Sequence, residues 1–179
     1  PAQQLKSTRG GAAADALRLA RDAGLLSWNG RTEVVFHDRD AAEYLGGGWV
    51  EEYAGYKLSG ARANKADWAP RLRIEHVDSK ATNELDGVLV HDNRLLLVEC
   101  KAARTDAGIA DWIYKASQLA RGVGGQLARP LLLSARSIGD EHRQRAREYG
   151  VDVLAAGELH ALPAYLRRWM SGVNGAAGG

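Results

Sequence analysis

The stretch NELDGVLVHDNRLLLVECK, Asn83–Lys101, decides how this chain folds. It reads as two mostly apolar strands joined by a tight turn at Asp92-Asn93, a pair of residue types that tolerate the left-handed backbone of a hairpin turn. The run Leu95–Val98 is apolar without interruption, the pattern of a strand buried on both faces. Yet Glu84, Asp86, Glu99 and Lys101 place four charges at the outer ends of this hairpin.

Side chains alternate between the faces of a strand, so Glu99 and Lys101 share one face and Cys100 points to the other. A two-residue turn sets Asp86 opposite Glu99 and Glu84 opposite Lys101. Two carboxylates directly opposite each other repel. A divalent cation between them removes that objection, and Mg2+ or Mn2+ accepts carboxylate oxygens while keeping several waters. A lysine beside such a site orients an attacking water or meets a phosphate, which suits metal-assisted phosphodiester hydrolysis. The competing reading is a hairpin whose solvent side is simply charged. A three-residue turn would shift the register by one and part the carboxylates to opposite faces.

Outward from the hairpin, the expected order from Gly47 is helix, three strands, helix, strand, helix, strand, which is an α/β architecture with a mixed central sheet flanked by helices. Its pieces are a helix in GGGWVEEYAGYKL, a loop over 59–70, a strand RLRIEHV, the hairpin, a helix Asp106–Arg121, a turn Gly122–Gly125, a strand PLLLSA, a helix Asp140–Tyr149, a strand VDVLAA and a helix Gly157–Met170. Before it, residues 1–46 read as a frayed start, a helix from Ala12, a hairpin over Leu25–Phe36 turning at Asn29-Gly30, and a helix capped by Asp38 or Asp40. The glycines at 46–48 predict a break in that helix. Residues 171–179 are expected to be disordered.

Bulk properties set wide limits. The 179 residues suit one domain with a small appendage, 45% hydrophobic content supports a core, and a net charge of +2 permits a polyanionic partner without demanding one. The single cysteine excludes an internal disulfide framework and fits a reducing, cytoplasmic setting. No apolar run is long enough to span a membrane as a helix. The five histidines show no zinc spacing, and neither GxxxxGK nor GxGxxG is present.

The combination of GGWVEEY, NELDGVLV, NRLLLVECK, YK followed by GG, and RA before a VDVL strand resembles the PD-(D/E)XK nuclease domain of CRISPR-associated proteins that join a cyclic-oligoadenylate-sensing CARF domain to a nuclease. The resemblance spans about Gly47 to Leu162. It implies a PD-(D/E)XK restriction-endonuclease-like fold over 47–170 and a metal-dependent endonuclease with Mg2+ or Mn2+ as cofactor. DNA, RNA or both are the implied substrates, cut with little sequence specificity in antiviral defence. On the matching positions, Asp86 and Glu99 become metal ligands, Lys101 the catalytic lysine, and Glu51 a further ligand with Glu52 its competitor. Glu84 is assigned behind the ligands, where it would hold Lys101. Relatives of this kind imply a homodimer. Residues 1–46 read as a small winged-helix-like connector in place of the sensor domain, so the chain reads either as a nuclease fragment of a longer CARF-containing parent or as a stand-alone relative. A structure-selective repair or recombination nuclease and a non-catalytic nucleic-acid-binding module are the alternatives.

Further basic residues are candidates for the substrate. Lys115, on the helix after the catalytic strand, either meets a phosphate or is a solvated helix lysine. The segment 57–73, with Lys57, Arg62, Lys65, Trp68, Arg71 and Arg73, is a nucleic-acid candidate in which basic side chains would track phosphates and the tryptophan would stack on an unpaired base; the competing reading is a mobile basic loop. Cys100 reads as a small core residue.

Overall fold

The computed structural model describes residues 2–4, 10–60, 66–75, 82–102 and 108–172. Two compact units divide the chain, Pro1–Trp49 and Val50–Gly179. Arg62, Lys65 and the tail from 173 lie outside the described residues.

In the first unit, α1 (Ala12–Asp22) is followed by β2 (Leu26–Trp28) and β3 (Glu33–Phe36), and β1 (Ala2–Gln4) completes a three-stranded antiparallel sheet in the order β1-β3-β2. The start of the chain was expected to fray. Instead its backbone pairs with β3, Gln3 opposite Val34. The reversal between β2 and β3 is longer than Asn29-Gly30, because Asn29 Oδ1 accepts from the main-chain N–H groups of Arg31 and Glu33 and organises a wider loop. Ala20, Leu26 and Val34 form the buried centre of this unit. Asp38 caps α2 (Arg39–Glu43) by accepting from Ala41 N–H at 2.7 Å. The helix then opens into one wide turn over Tyr44–Gly48, with Gly47 outside helical geometry, as the three glycines predict.

The second unit opens with α3 (Trp49–Ser59) and holds a five-stranded sheet in the order β4-β5-β6-β7-β8. Strands β4 (Asp67–Glu75), β5 (Thr82–His91) and β6 (Arg94–Lys101) run antiparallel, while β6, β7 (Ala128–Ser134) and β8 (Asp152–Leu154) run parallel. Two crossovers join the parallel strands: α4 (Ile109–Gly124) between β6 and β7, and α5 (Asp140–Glu148) between β7 and β8. The chain closes on α6 (Leu162–Met170), with Pro163 in the first turn, where its missing N–H costs nothing. The mixed sheet flanked by helices is the architecture expected from the sequence.

One face of the sheet is sealed by α4 and α5 through Ile109, Ile113, Leu132 and Ala146, and by Leu119 and Ala120 over Val88 and Leu97. The other receives α3 through Leu58, Gly87 and Trp68. Helix α4 runs through the glycines expected to end it. A Cβ at Gly124 would sit 2.7 Å from Leu95 Cδ1, so a glycine is what lets the last turn reach the sheet. Strand β4 begins at Asp67, within the segment expected to be loop, because Asp67–Pro70 pair with Gly87–Val90. That change of assignment moves Trp68. Its indole does not stand in a loop open to a base but packs where the side chain of residue 87 would be, 2.3 Å from a Cβ built there.

Gly87 therefore makes room for Trp68. We expect Gly87→Ala to destabilise the domain by about 1–3 kcal/mol through overpacking, and Trp68→Leu in the same chain to recover part of that loss. Urea denaturation of the two single variants and the double variant measures the coupling. Simple additivity would mean that the two residues do not compete for one space.

Candidate active site

The turn at Asp92-Asn93 has both central residues left-handed, at φ 47 and 58, and the flanking pair is His91 with Arg94. This is the two-residue hairpin geometry that places Val88 beside Leu97 and Gly87 beside Val98. The paired ladder stops there, one step before Asp86 and Glu99. The reason lies in β5. Leu85 and Val88 both pack into the cluster beneath α4, although three residues apart on a strand should face opposite ways. The strand switches faces between them. Asp86, at the switch, turns its carboxylate toward β6, and the Cys100 main-chain N–H donates to Asp86 Oδ2 at 2.6 Å. A side-chain oxygen thus occupies a main-chain donor where the ladder ends.

The other charges gather around this carboxylate. Lys101 Nζ lies 2.6 Å from Glu99 Oε1, with the two side chains only 26% and 15% exposed. The Lys101 ammonium also sits over the Trp112 ring of α4, 5.6 Å from its centre. From α3, Glu51 comes near enough for its charge to be felt at both Asp86 and Cys100, which selects it over the exposed Glu52. Glu51 Oε2 accepts from Arg71 Nη2 of β4 at 3.4 Å. Burial is the main cause that lifts the Asp86 carboxyl from its ordinary 3.8 to about 6, and the charges of Glu99 and Glu51 add to it. The Cys100 bond and Lys101 work in the opposite sense. Burial likewise pushes the Cys100 thiol up, and its Sγ faces the Val50 carbonyl at 4.0 Å, so this cysteine is a protonated packing residue.

Glu51, Asp86, Glu99 and Lys101 are thus brought together. Glu84 stands apart: it pairs in register with Arg73 on β4, is exposed, and does not hold Lys101, whose partner is Glu99. Lys115 lines, with Glu99 and Trp112, a small apolar crevice between α4 and the sheet. Lys57 stacks over Tyr53 and Tyr56 along α3, at 5.4 and 5.0 Å. Trp112 was not singled out from sequence, because it falls in the apolar periodicity of α4 and reads as core. Arg71 was expected only as one basic side chain of the 57–73 segment, and the structure sets it on β4 beside Glu51.

Among the described residues no three Asp, Glu, His or Cys side chains close around one point. The donor chemistry nevertheless fits a hard divalent cation. The half-buried Asp86 carboxyl, raised mainly by burial, feels the charges of Glu99 and Glu51, and Glu99 is paired with a lysine.

The sheet order, the strand directions and the flanking helices define the PD-(D/E)XK class of α/β fold. The chain belongs to the Card1-like endonuclease domain family, whose model matches residues 38–173. This agrees with the resemblance, drawn from sequence, to the nuclease domain of CRISPR-associated proteins. Among solved structures the fold is similar to Can2 from Sulfobacillus thermosulfidooxidans in complex with cyclic tetra-adenylate. The TM-score is 0.78 at 23% identity, covering 95% of this chain and 47% of that one. It is also similar to protein VC1899 from Vibrio cholerae, with TM-score 0.69 at 24% identity, covering 90% of this chain and 44% of that one. The chain spans less than half the length of both. No curated protein matches it. Among the described residues no helix is long and apolar enough to cross a membrane.

The raised Asp86 pKa carries a sign. The folded state holds the proton more tightly than the unfolded chain, so stability falls as pH rises from 3.8 through about 6, and the loss persists above. In EDTA, Asp86→Asn keeps an acceptor for Cys100 N–H and removes the charge. We expect it to be more stable than the parent at pH 7.5 by about 1–2 kcal/mol, allowing for solvent screening, and to lack the parent's decline between pH 4 and 6. Chemical denaturation across that range checks this. A less stable Asn variant at pH 7.5 would mean that the fold favours the ionised carboxylate.

Proposed function

We propose that this domain is a divalent-metal-dependent nuclease. It cuts phosphodiester bonds of DNA, RNA or both, with little sequence preference, in CRISPR-linked antiviral defence. Membership of an endonuclease domain family supports the reaction class. One observation carries the site assignment: Lys101 is held on Glu99, and the half-buried carboxyl of Asp86 feels the charges of Glu99, Lys101 and, from α3, Glu51.

In this reading Asp86, Glu99 and Glu51 hold Mg2+ or Mn2+. The cation, when bound, supplies Lewis-acid polarisation of a phosphoryl oxygen and acidifies a water. Lys101 does what a carboxylate cannot. Its ammonium lies against the Trp112 ring and on Glu99, and from there it would donate to an attacking water or to the charge growing on phosphate. The apolar crevice around Leu85, Leu97 and Trp112 limits water behind the lysine and strengthens these interactions. A nearly neutral domain needs local cations to grip a polyanion, and Lys115 at that crevice lies near enough to serve.

Two substitutions separate ligand from lysine. Asp86→Asn should weaken Mn2+ binding and cleavage together. Lys101→Ala removes the cation that competes for Glu99, so Mn2+ affinity should hold or rise, while cleavage falls by roughly a hundredfold or more. Calorimetric Mn2+ titration beside cleavage of labelled single- and double-stranded DNA and RNA tests the split. Wild-type cleavage unaffected by EDTA would remove the metal from the proposal. Full activity in Lys101→Ala would reduce the lysine to a salt-bridge partner.

A further inference from the structure

Strand β4 carries a feature that the reading above leaves unused. Pro70 pairs with Gly87 and Leu72 with Leu85, so Arg71 and Asp86 are the bracketed step across the β4–β5 ladder. Arg71 has φ +48, a left-handed backbone in the middle of a strand. A residue with a Cβ is strained there, and glycine or asparagine fills such positions where only the backbone matters. The strand also switches faces at this point. Trp68 packs on the α3 side and Ile74 in the cluster under α4, although an even spacing should keep both on one face. The backbone is thus bent at Arg71, beside the bend at Asp86, and the bend carries the guanidinium to Glu51.

That contact is poor for an arginine. Nη2 reaches Glu51 Oε2 at 3.4 Å, and the arginine side chain is 73% exposed. A long, open, single-pronged pair contributes little to stability, and so does not account for a strained arginine. A guanidinium fork matches two oxygens of a phosphate, and the contact to Glu51 uses only one prong. The backbone strain, the loose hold on Glu51 and the place beside Asp86 are explained together by a ligand that arrives later.

Resting on the nuclease reading, we propose that Arg71 is a substrate-binding residue. It waits on Glu51 in the free protein and moves to the phosphate being cut, or to the one next to it, when a nucleic-acid strand enters. The exchange frees Glu51 as the phosphate takes the arginine, so strand binding and completion of the carboxylate set are linked.

Arg71→Gly tests this cleanly, because glycine suits the left-handed backbone and the fold should lose nothing. The readout is equilibrium binding of labelled single- and double-stranded DNA and RNA in EDTA, over a range of salt. Thermal unfolding of each variant and cleavage by the wild type in Mg2+ and Mn2+ are measured alongside. We expect Arg71→Gly to unfold no lower than wild type, to bind the preferred strand about tenfold more weakly, and to lose about one from the slope of log affinity against log salt. Arg71→Lys should restore part of the affinity, since a point charge replaces the fork. If Arg71→Gly matches wild type in affinity and salt slope, Arg71 is no substrate contact, whatever the cleavage assay shows. If wild type cleaves none of the four substrates but the binding loss appears, the nuclease reading fails and the phosphate contact stands. A wild type that binds none of them in EDTA overturns the phosphate contact, and one that also cleaves none overturns both.

Discussion

The left-handed pair Asp92-Asn93 fixes the register of β5 on β6, and everything chemical in this domain depends on that register. One residue more or less in the turn would send Leu95 and Leu97 to the face now held by Leu96 and Val98. The clusters under α4 and α3 would both lose their contents. The same slip would move Glu99 and Lys101 across the sheet. Core and site are therefore specified by one constraint. Residues that disrupt the core pattern cannot drift, because the apolar run Leu95–Val98 immediately before them is pinned by burial on both faces.

The site sits where regular pairing gives out. Along Gly87–His91 and Arg94–Val98 the main chain satisfies its own hydrogen bonds. At the next step β5 and β4 both bend, and the Asp86 side chain supplies the acceptor for Cys100 N–H. A carboxylate used this way is partly withdrawn from water and lies among other carboxylates, a costly arrangement for the isolated fold. An amide would cap the same N–H without that cost. The choice of a carboxylate is thus hard to explain as structure and easy to explain as a place for positive charge.

How far the sequence revealed this can be judged residue by residue. The hairpin was legible because Asp-Asn between two apolar runs has one favoured geometry. The joining of Asp86, Glu99 and Lys101 followed from alternation alone. Glu84 was misjudged by the same rule, since alternation assumes an unbroken ladder and this one ends at Gly87 and Val98. Trp68 was misread because a strand that starts with Asp, Trp, Ala and Pro lacks the alternation of a buried strand. Its partner is the missing side chain of Gly87, which no local pattern announces. Arg71 was legible as a basic residue of the 57–73 segment, but its backbone was not. A positive φ at an arginine runs against propensity, so only the folded chain shows it.

Charge balance explains why such a site is compatible with a folded domain before any ligand arrives. Lys101 neutralises Glu99 at close range, and Arg71 offsets Glu51 loosely. Asp86 is left with a main-chain N–H and with a bias, from burial, toward keeping its proton. The two cations are not equivalent. The half-buried Lys101–Glu99 pair is close and shielded from water, whereas the open Arg71–Glu51 pair costs little to part. A site built this way is tight where it must position and loose where it must admit a charged strand. The division follows from depth alone: Glu99 and Lys101 lie on a central strand beneath α4, and Arg71 lies on the edge strand β4, open to solvent.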